Sequence, residues 1–196
     1  MSREREDVVA ALVDLCKEVG VKCLIQIGAE DGWEAFCVQE TTGCRAVCIE
    51  GDPKCCKCSM RLEYHRCLIG ATDCVTDFYV HEQMGLSSTI PRNDNLEQHI
   101  AVEQYRLDTF CELSGVAPDA LIIDTEGSAM GVLEGAVGTL AGVRLIYAEV
   151  QTKEIRPGVS LLPVVDAFLV ERGFVRRGGL PAYEVEGQGN FVWVRP

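Results

Sequence analysis

The sequence predicts an α/β protein built on a doubly wound, mostly parallel sheet. Short apolar segments that stop at glycine or acidic residues alternate along the chain with segments of helical spacing. Three of the apolar segments, within residues 24–32, 46–53 and 121–127, share that ending. In an open α/β sheet, these endings lie at the carboxyl ends of parallel strands, where ligands bind. We therefore expect a nucleotide-type pocket at one edge of the sheet.

The individual elements follow from periodicity and from glycine and proline punctuation. Val8, Leu12, Leu15 and Val19 recur at helical spacing and predict an N-terminal helix within residues 1–20, which stops at Gly20. Further helices are predicted at residues 32–41, 54–64, 107–113, 128–140 and 162–172. Strands are predicted at residues 22–27, 46–50, 66–70, 120–123 and 144–150, with an extra strand at 76–81 and a closing pair at 174–175 and 190–194.

Residues 84–97 form a long polar stretch between two of these elements. Long loops inside compact domains are often lids or binding loops. We expect residues 84–97 to be an active-site loop.

Composition narrows the class of protein. A chain of 196 residues is long enough for one well-packed domain, so we predict a single domain over 1–196. The net charge of −12 argues against a nucleic-acid partner, because phosphate binding relies on clustered Lys and Arg. No apolar run approaches the roughly 20 residues that span a bilayer, and the N-terminus lacks the apolar core of a secretory signal. We expect a cytoplasmic protein with no membrane partner.

The eleven cysteines do not indicate a disulfide framework or a metal centre. A domain of this size without a signal peptide builds its own apolar core. No pair of C-x2-C units occurs at zinc-ribbon spacing, and several cysteines fall inside predicted strands.

The first strand end is a glycine turn at Gly28 and Gly32, before a predicted helix. Glycines there let a ligand approach the backbone, and helix N–H groups face the pocket. The spacing is not the G-x-G-x-x-G of a dinucleotide site, and Glu30 would repel a diphosphate. A ligand with ribose and a cationic or zwitterionic part is favoured.

Glu50 ends the second strand, about twenty residues later, and is followed by Gly51 and Asp52. A carboxylate in that place can accept hydrogen bonds from both ribose hydroxyls. A helix-capping role is the alternative for Glu50.

Three motifs later in the chain resemble those of the FkbM family of S-adenosylmethionine-dependent methyltransferases. They are Leu107-Asp-Thr-Phe, Leu121-Ile-Ile-Asp124-Thr-Glu126-Gly127 and Val132-Leu-Glu-Gly135-Ala, joined by Ala148-Glu149-Val150 and Gly173-Phe174. The resemblance implies a Rossmann-like class I methyltransferase fold, with a seven-stranded, mostly parallel sheet, an antiparallel last strand and helices on both faces. It also implies methyl transfer from S-adenosylmethionine, with S-adenosylhomocysteine as product, usually to a hydroxyl oxygen of a sugar or natural product.

Three positions depart from the family pattern. The family usually has Asp at Gln26, Asn at Glu30 and a second Glu at Ala129. Gln26 can still hydrogen-bond the methionyl amine, but it lacks the charge of Asp. Ala129 removes a carboxylate that could serve substrate or ion binding.

Asp124 is our first candidate to face the reacting centre. It could position the cofactor's amine or accept the proton of an acceptor hydroxyl. Glu126 could bind substrate hydroxyls, help Asp124 and Glu149 to hold a divalent ion, or simply stabilise a helix N-terminus. The sequence indicates no metal ligands, although a divalent metal is compatible with it.

Four further candidates flank the predicted pocket. His81 is a candidate general base, because histidine is the side chain type best suited to that role near neutral pH, although a surface position is the alternative. Ser88 lies in the 84–97 loop and could contact cofactor or substrate, or shape a turn. Thr72 and Asp73 follow the third predicted strand, where methyltransferases often place an adenine contact.

The predicted function is O-methylation of a small hydroxylated molecule by an S-adenosylmethionine-dependent enzyme. Its cofactor-binding candidates are Gln26, Gly28, Glu30, Gly32, Glu50, Gly51, Asp52, Thr72, Asp73, Ser88 and Asp124, and its catalytic candidates are Asp124, Glu126 and His81. One alternative is a catalytically inactive methyltransferase-like binding module, and another is a nicotinamide-dependent oxidoreductase. The short chain leaves little room for a substrate domain, so the 84–97 loop or the second subunit of a homodimer could enclose the substrate.

Overall fold

The computed structural model describes residues 3–55, 62–92, 96–178 and 187–196, with side chains from residue 6 onward. Its helices are α1 (Arg3–Val19), α2 (Trp33–Thr42), α3 (Leu107–Ser114), α4 (Ala129–Glu134) and α5 (Leu162–Val170), with a 3-10 turn at Thr139–Ala141. Its strands are β1 (Cys23–Ile27), β2 (Arg45–Ile49), β3 (Glu63–His65), β4 (Leu68–Ile69), β5 (Cys74–His81), β6 (Glu97–Tyr105), β7 (Ala120–Ile123), β8 (Leu145–Gln151), β9 (Val175–Arg177) and β10 (Gln188–Val194).

The main sheet has seven strands in the order β3-β2-β1-β7-β8-β10-β9. Neighbours from β3 to β8 pair in parallel, whereas β10 runs antiparallel to both β8 and β9. This confirms the predicted seven-stranded, mostly parallel sheet with an antiparallel last strand. Because β1 lies between β2 and β7, the strand order reverses there, and the carboxyl ends of these three strands border one crevice.

Two apolar cores cover the two faces of this sheet. On one face, α1 and α2 pack against side chains such as Leu24, Ile122 and Tyr147. On the other, α3, α4 and α5 pack against Ile25, Ile123 and their neighbours. Strand residues alternate between the cores with period two, which confirms helices on both faces.

A second sheet, which the sequence did not predict as such, lies beside the carboxyl ends. It has three strands in the order β4-β6-β5, with an antiparallel pairing over the whole length of β5 and β6. The predicted strand at 76–81 is confirmed within β5. Strand β6 was missed, and Glu97 belongs to it rather than to the predicted 84–97 loop.

Three other element predictions need correction. In the predicted helix at 54–64, Glu63 and Tyr64 are strand residues, because β2 offers them a free parallel edge; residues 56–61 lie outside the described part. The predicted strand at 66–70 is confirmed only at Leu68–Ile69, which is β4 and joins the second sheet, whereas β3 takes the edge of the main sheet. The predicted helix at 128–140 stops at Gly135, where a Cβ atom would lie 2.0 Å from the carbonyl oxygen of Gly70.

The 84–97 segment is irregular from Met84 to Arg92, and residues 93–95 lie outside the described part. It is tied back to β5 by two hydrogen bonds between the backbones of Ser88 and Tyr79. Among the helices of the described residues, none is long and apolar enough to cross a bilayer.

Candidate active site

A cleft of about 650 Å³, counting the solvent at its mouth, opens at the carboxyl ends of β1, β2 and β7. Gly28, Glu50 and Asp124, which follow these three strands, all line it. Gly85, Ser87 and Thr89 from the irregular segment line it from the opposite side. The three strand ends singled out in the sequence therefore meet in one cleft, as their common position in a parallel sheet requires.

Gly28 makes the turn after β1 possible. Its φ is 73°, and a Cβ atom at this position would lie 1.7 Å from the carbonyl oxygen of Asp124. The N–H groups of Gly28 and Ala29 both donate to the carbonyl of Ile49, at 3.0 and 3.1 Å. Only glycine lets the three strand ends approach this closely.

Glu50 is buried and held by the backbone at both oxygens. It accepts hydrogen bonds from the N–H of Glu30 at 2.8 Å and from that of Asp52 at 2.7 Å. Burial raises the pKa of Glu50, and these two hydrogen bonds oppose the rise. Each carboxylate oxygen has a second lone pair, so a fixed, bidentate acceptor remains available.

Asp52 connects the cleft to the irregular segment. Its Oδ1 accepts a hydrogen bond from the N–H of Lys54 at 2.7 Å, and its Oδ2 accepts one from the hydroxyl of Ser87 at 2.6 Å. Ser87 also accepts a bond from the N–H of His81 at 3.0 Å. These contacts fix Ser87 over the cleft.

The end of the cleft beside Glu50 is apolar. Ile49, Leu68, Ile69 and Phe78 line it, next to Gly51. A Cβ atom on Gly51 would come within 2.3 Å of the Leu68 side chain. This end can accept a flat apolar group next to a polar group bound by Glu50.

Two non-glycine residues have positive φ in the described part of the chain, and both line the cleft. They are Glu30 with φ 49° and Glu126 with φ 52°. Such conformations cost of order 1–2 kcal/mol for a residue with a Cβ atom, and they concentrate at functional sites.

Asp124, Glu126 and Glu149 converge beside this cleft, with one oxygen of each within 4.8 Å of the others. Burial, together with the Glu126 carboxylate, raises the pKa of Glu149 to about 7, although Arg156 opposes the rise. Asp124 opens to solvent through the cleft, yet protein surrounds it on its other sides. This surrounding and the Glu149 carboxylate raise the pKa of Asp124 well above its usual range.

The hydroxyl of Tyr147 lies near the same cluster. Tyr147 is 7% exposed, and its hydroxyl has no hydrogen-bond partner among the described residues. Burial and the carboxylates of Asp124, Glu34 and Glu149 raise the pKa of Tyr147 and keep it a hydrogen-bond donor.

Arg156 is a site residue that the sequence did not single out. Its guanidinium is 1% exposed and bonds Glu126 Oε2 at 3.0 Å, the carbonyl of Leu86 at 2.9 Å and that of Ile90 at 2.7 Å. It therefore joins the loop after β8 to the irregular segment and to Glu126. It lies in a polar stretch without periodicity, so no sequence signal marked it.

Gln26, Gly32 and Ser88 lie behind the cleft rather than on its lining. The side chain of Gln26 donates to Glu34 at 3.1 Å and accepts from the N–H of Ala35 at 2.9 Å, so it anchors α2. Gly32 precedes that helix with φ 74°. The hydroxyl of Ser88 donates to the carbonyl of Glu126 at 3.0 Å. These residues support the cleft, and their predicted cofactor contacts stay predictions.

Thr72, Asp73 and His81 also lie off the lining. Both carboxylate oxygens of Asp73 are used at the start of α3, where they accept from the N–H of Arg106 and the hydroxyl of Thr109. Thr72 is exposed beside Cys74. His81 is 2% exposed, and its Nδ1 accepts a bond from the N–H of Gln83 at 3.0 Å. The predicted cofactor contacts of Thr72 and Asp73 and the predicted catalytic role of His81 stay predictions.

Several solved structures share this fold over nearly the whole chain. One is a magnesium protoporphyrin IX methyltransferase from Synechocystis PCC 6803 with bound S-adenosylmethionine, at TM-score 0.54 and 10% identity, covering 98% of this chain and 80% of that one. Another is a precorrin-6y C5,15-methyltransferase from Geobacter metallireducens, at TM-score 0.52 and 9% identity, covering 96% and 87%. A third is the methyltransferase domain of a bacterial Hen1 protein, at TM-score 0.52 and 9% identity, covering 98% and 100%.

At these identities the likeness shows the fold alone, which is that of class I methyltransferases. No curated protein sequence matches the chain significantly. The family model for the methyltransferase FkbM domain matches residues 26–176, from β1 to β9, and thus contains every strand end that lines the cleft. The chain belongs to the FkbM methyltransferase family.

Proposed function

We propose that this protein transfers the methyl group of S-adenosylmethionine to a hydroxyl oxygen of a small molecule. The observation that carries the proposal is the convergence of Gly28, Glu50 and Asp124 on one cleft. Membership of a methyltransferase family supports the reaction class. The strand order, with its antiparallel β10, supports it against a nicotinamide-dependent oxidoreductase.

The cleft fits the parts of this cofactor. Glu50 would accept hydrogen bonds from the two ribose hydroxyls, because both of its oxygens are already oriented by backbone N–H groups. The apolar end at Leu68, Ile69 and Phe78 would take the adenine ring. Gly28, which lines the cleft at the end of β1, would lie beside the methionyl part. When bound, the cofactor supplies an electrophilic methyl group on a sulfonium.

Asp124 is the residue we propose at the reacting centre. The acceptor hydroxyl has to lose its proton as its oxygen attacks, and a carboxylate with a raised pKa is a better base than an ordinary Asp. Asp124 would take that proton at a carboxylate oxygen. The side chain of Asp124 makes no hydrogen bond or ion pair with the described residues, so it is available to an acceptor. His81 is less suited, because it is buried off the lining.

The surroundings of the cleft favour a small, uncharged or cationic acceptor. Glu30, Asp52, Asp124 and Glu126 all line it and would repel a phosphate. Ser87 and Thr89 overhang the opening and restrict the size of what can enter. A sugar or a hydroxylated natural product fits these limits, whereas a nucleic acid does not.

The first experiment is calorimetric titration with S-adenosylhomocysteine, with NADH titrated in parallel. We expect S-adenosylhomocysteine to bind and NADH to give no heat. Glu50→Gln should abolish binding, because the neutral side chain loses half of its acceptor capacity and all of its charge. Binding of NADH in preference to S-adenosylhomocysteine would overturn the proposal in favour of an oxidoreductase.

A second experiment separates an enzyme from a binding module. Labelled S-adenosylmethionine is incubated with a panel of sugars and polyhydroxylated aromatics, and methyl transfer is followed by mass spectrometry. We expect transfer to oxygen, reduced by about a hundredfold or more in Asp124→Asn with S-adenosylhomocysteine binding retained. Residual transfer at the wild-type rate in Asp124→Asn would refute the role of Asp124. Cofactor binding with no transfer to any acceptor would favour the inactive module.

A further inference from the structure

The carboxylates beside the cleft are not balanced by positive charge. Asp124, Glu126 and Glu149 bring three carboxylates within 4.8 Å, and Arg156 is the cation paired with them in the described part of the chain. Glu149 receives one further hydrogen bond, from the amide of Gln188 at 3.2 Å. An ion pair between Arg156 and Glu126 leaves two carboxylates without a counter-charge.

The cluster lies on the far side of Asp124 from Glu50. Asp124 follows β7, which is flanked by β1 on one side and β8 on the other. Ile123 pairs with Ala148, so Asp124 and Glu149, the next residue of each strand, are neighbours across the sheet edge. Glu149 is not part of the cleft lining, whereas Asp124 and Glu126 belong both to the lining and to the carboxylate cluster. The cluster is therefore distinct from the cleft end where Glu50 would hold a ribose.

Tyr147 provides an independent indication of a missing ligand. It lies two residues before Glu149 on β8, so both side chains project from the same face of the sheet. Its buried hydroxyl has no partner among the described residues, and Asp124 is the charged group that acts most strongly on it. A buried donor without an acceptor costs about 1–3 kcal/mol, so a ligand or an ordered water that accepts its hydrogen bond would be stabilised there.

We propose that Asp124, Glu126 and Glu149 bind one divalent cation that prefers oxygen ligands, Mg²⁺ or Mn²⁺. Mg²⁺ binds carboxylate oxygens at about 2.0–2.1 Å, so one ion joins oxygens that are up to roughly 4.2 Å apart. The three carboxylate oxygens lie within 4.8 Å of one another, so the side chains would close by about half an ångström around the ion. Mg²⁺ and Mn²⁺ usually keep several waters, and one of these would accept the hydrogen bond of the Tyr147 hydroxyl. Arg156 would keep Glu126 in place by donating to one of the carboxylate oxygens of Glu126, while the other oxygen binds the ion.

The cation goes beyond the methyl transfer proposed above and does not depend on the cofactor's identity. It would be bound by one oxygen of Asp124 on the acceptor side of the cleft, which leaves the other oxygen to face the acceptor; the positive charge of the ion would lower the pKa of Asp124 from its raised value in the metal-free protein. Alkaline-earth and manganese ions are bound by carboxylates and waters, whereas Zn²⁺ is bound mainly by His and Cys, and neither residue type belongs to the cluster.

The test is direct binding of Mn²⁺, followed by its electron paramagnetic resonance signal, with Mg²⁺ as competitor. We expect one Mn²⁺ per chain, displaced by Mg²⁺. Glu149→Gln and Asp124→Asn should each weaken binding by more than tenfold, and Tyr147→Phe by roughly tenfold, because it removes an outer-shell hydrogen bond. Thermal melting of each variant without metal shows whether it is folded. Absence of saturable Mn²⁺ binding to the folded wild-type protein would overturn the proposal, and so would unchanged affinity in Glu149→Gln.

Glu50→Gln is the matched control, since it neutralises a buried carboxylate in the same cleft but outside the cluster. It should lose S-adenosylhomocysteine binding and keep its Mn²⁺ affinity. If S-adenosylhomocysteine binds the wild-type protein and Mn²⁺ does not, the cation proposal fails while the methyltransferase proposal stands. If Mn²⁺ binds the wild-type protein and S-adenosylhomocysteine does not, the cation proposal stands and the protein uses another cofactor. Loss of Mn²⁺ in Glu50→Gln would place the ion in the ribose end of the cleft and contradict the assignment.

Discussion

Arg156 and Glu126 form a buried ion pair, with Nη2 of the arginine 3.0 Å from Oε2 of the glutamate and side-chain exposures of 1% and 11%. The same guanidinium holds the carbonyls of Leu86 and Ile90. Glu126 needs this partner, because a buried carboxylate without compensation is costly. The pair thus fixes one wall of the cleft, and the irregular segment above it, through a single side chain.

Arg156→Met should destabilise the protein by about 3–5 kcal/mol, because it leaves a buried carboxylate and two carbonyls without their donor. Arg156→Lys should lose less stability than Arg156→Met, because lysine keeps the positive charge, although it lacks the forked geometry of the guanidinium. The free energy of unfolding in urea measures both. Arg177→Met is the control: Arg177 pairs with Glu18 on the surface, at 41% and 57% exposure, and its loss should cost less than about 1 kcal/mol. Equal losses in Arg156→Met and Arg177→Met would contradict this account.

Gly28→Ala should prevent the three strand ends from closing around the cleft. Its Cβ atom would meet the Asp124 carbonyl oxygen at 1.7 Å, which the backbone can avoid only by moving β1 and β7 apart. We expect a lower melting temperature and loss of S-adenosylhomocysteine binding. Gly43→Ala isolates the effect of positive φ, because Gly43 has φ 75° and nothing within 4 Å of its Cβ position. It should cost about 1 kcal/mol and leave binding intact. Binding by Gly28→Ala as strong as that of the wild type would refute the steric argument.

Asp108 should contribute to stability rather than to binding. It accepts hydrogen bonds from the N–H of Gly138 and from both the N–H and the hydroxyl of Thr139. Partial burial works to raise its pKa, but the hydrogen bonds from Thr139 and Gly138 outweigh this and lower the pKa below its usual 3.8. The charged form is therefore favoured by folding. Asp108→Ala should cost about 1–3 kcal/mol near neutral pH.

The pH dependence tests the sign of this effect. The stabilisation by Asp108 should be fully present above pH 3.8 and disappear as the pH falls through the lowered pKa. The difference in unfolding free energy between the wild type and Asp108→Ala, measured across this range, should shrink on acidification. A difference that grows on acidification would contradict the assignment.

Glu50 should make cofactor affinity sensitive to acid. Burial raises its pKa above the usual 4.5, so the charged form that accepts ribose hydrogen bonds is lost at a higher pH than for an exposed glutamate. We expect calorimetric affinity for S-adenosylhomocysteine to fall on acidification while the pH is still above 4.5, before most carboxylates titrate. Affinity that stays constant down to pH 4.5 would show that Glu50 does not bind in its charged form.

The location of the cleft was predictable because it depends on local patterns. The apolar runs before Gly28, Glu50 and Asp124 are strands in the structure, and parallel strands necessarily bring their carboxyl ends to one edge. The missed strand β6 carried only a weak signal, since its apolar residues Ile100 and Val102 are separated by the apolar Ala101 rather than by a polar residue.

Which polar side chains line the cleft was not predictable, because this depends on contacts between distant segments. Gln26 and Asp73 have the residue types expected of ligand contacts, but Gln26 is engaged by Glu34 and Ala35, and Asp73 by Arg106 and Thr109. A hydrogen-bonding side chain satisfies the nearest complementary group, and the chain pattern does not tell which group that is.

The sequence by itself determined the family, the order of the main-sheet elements and the three strand ends that carry the site, since these depend on periodicity and on short motifs. Only the tertiary structure decided that Arg156 clamps Glu126, that Tyr147 is left with a buried donor, and that Glu149 joins Asp124 and Glu126. Arg156 and Glu126 are 30 positions apart, and Glu149 lies across a sheet edge from Asp124. Such contacts depend on register and burial that no local pattern encodes.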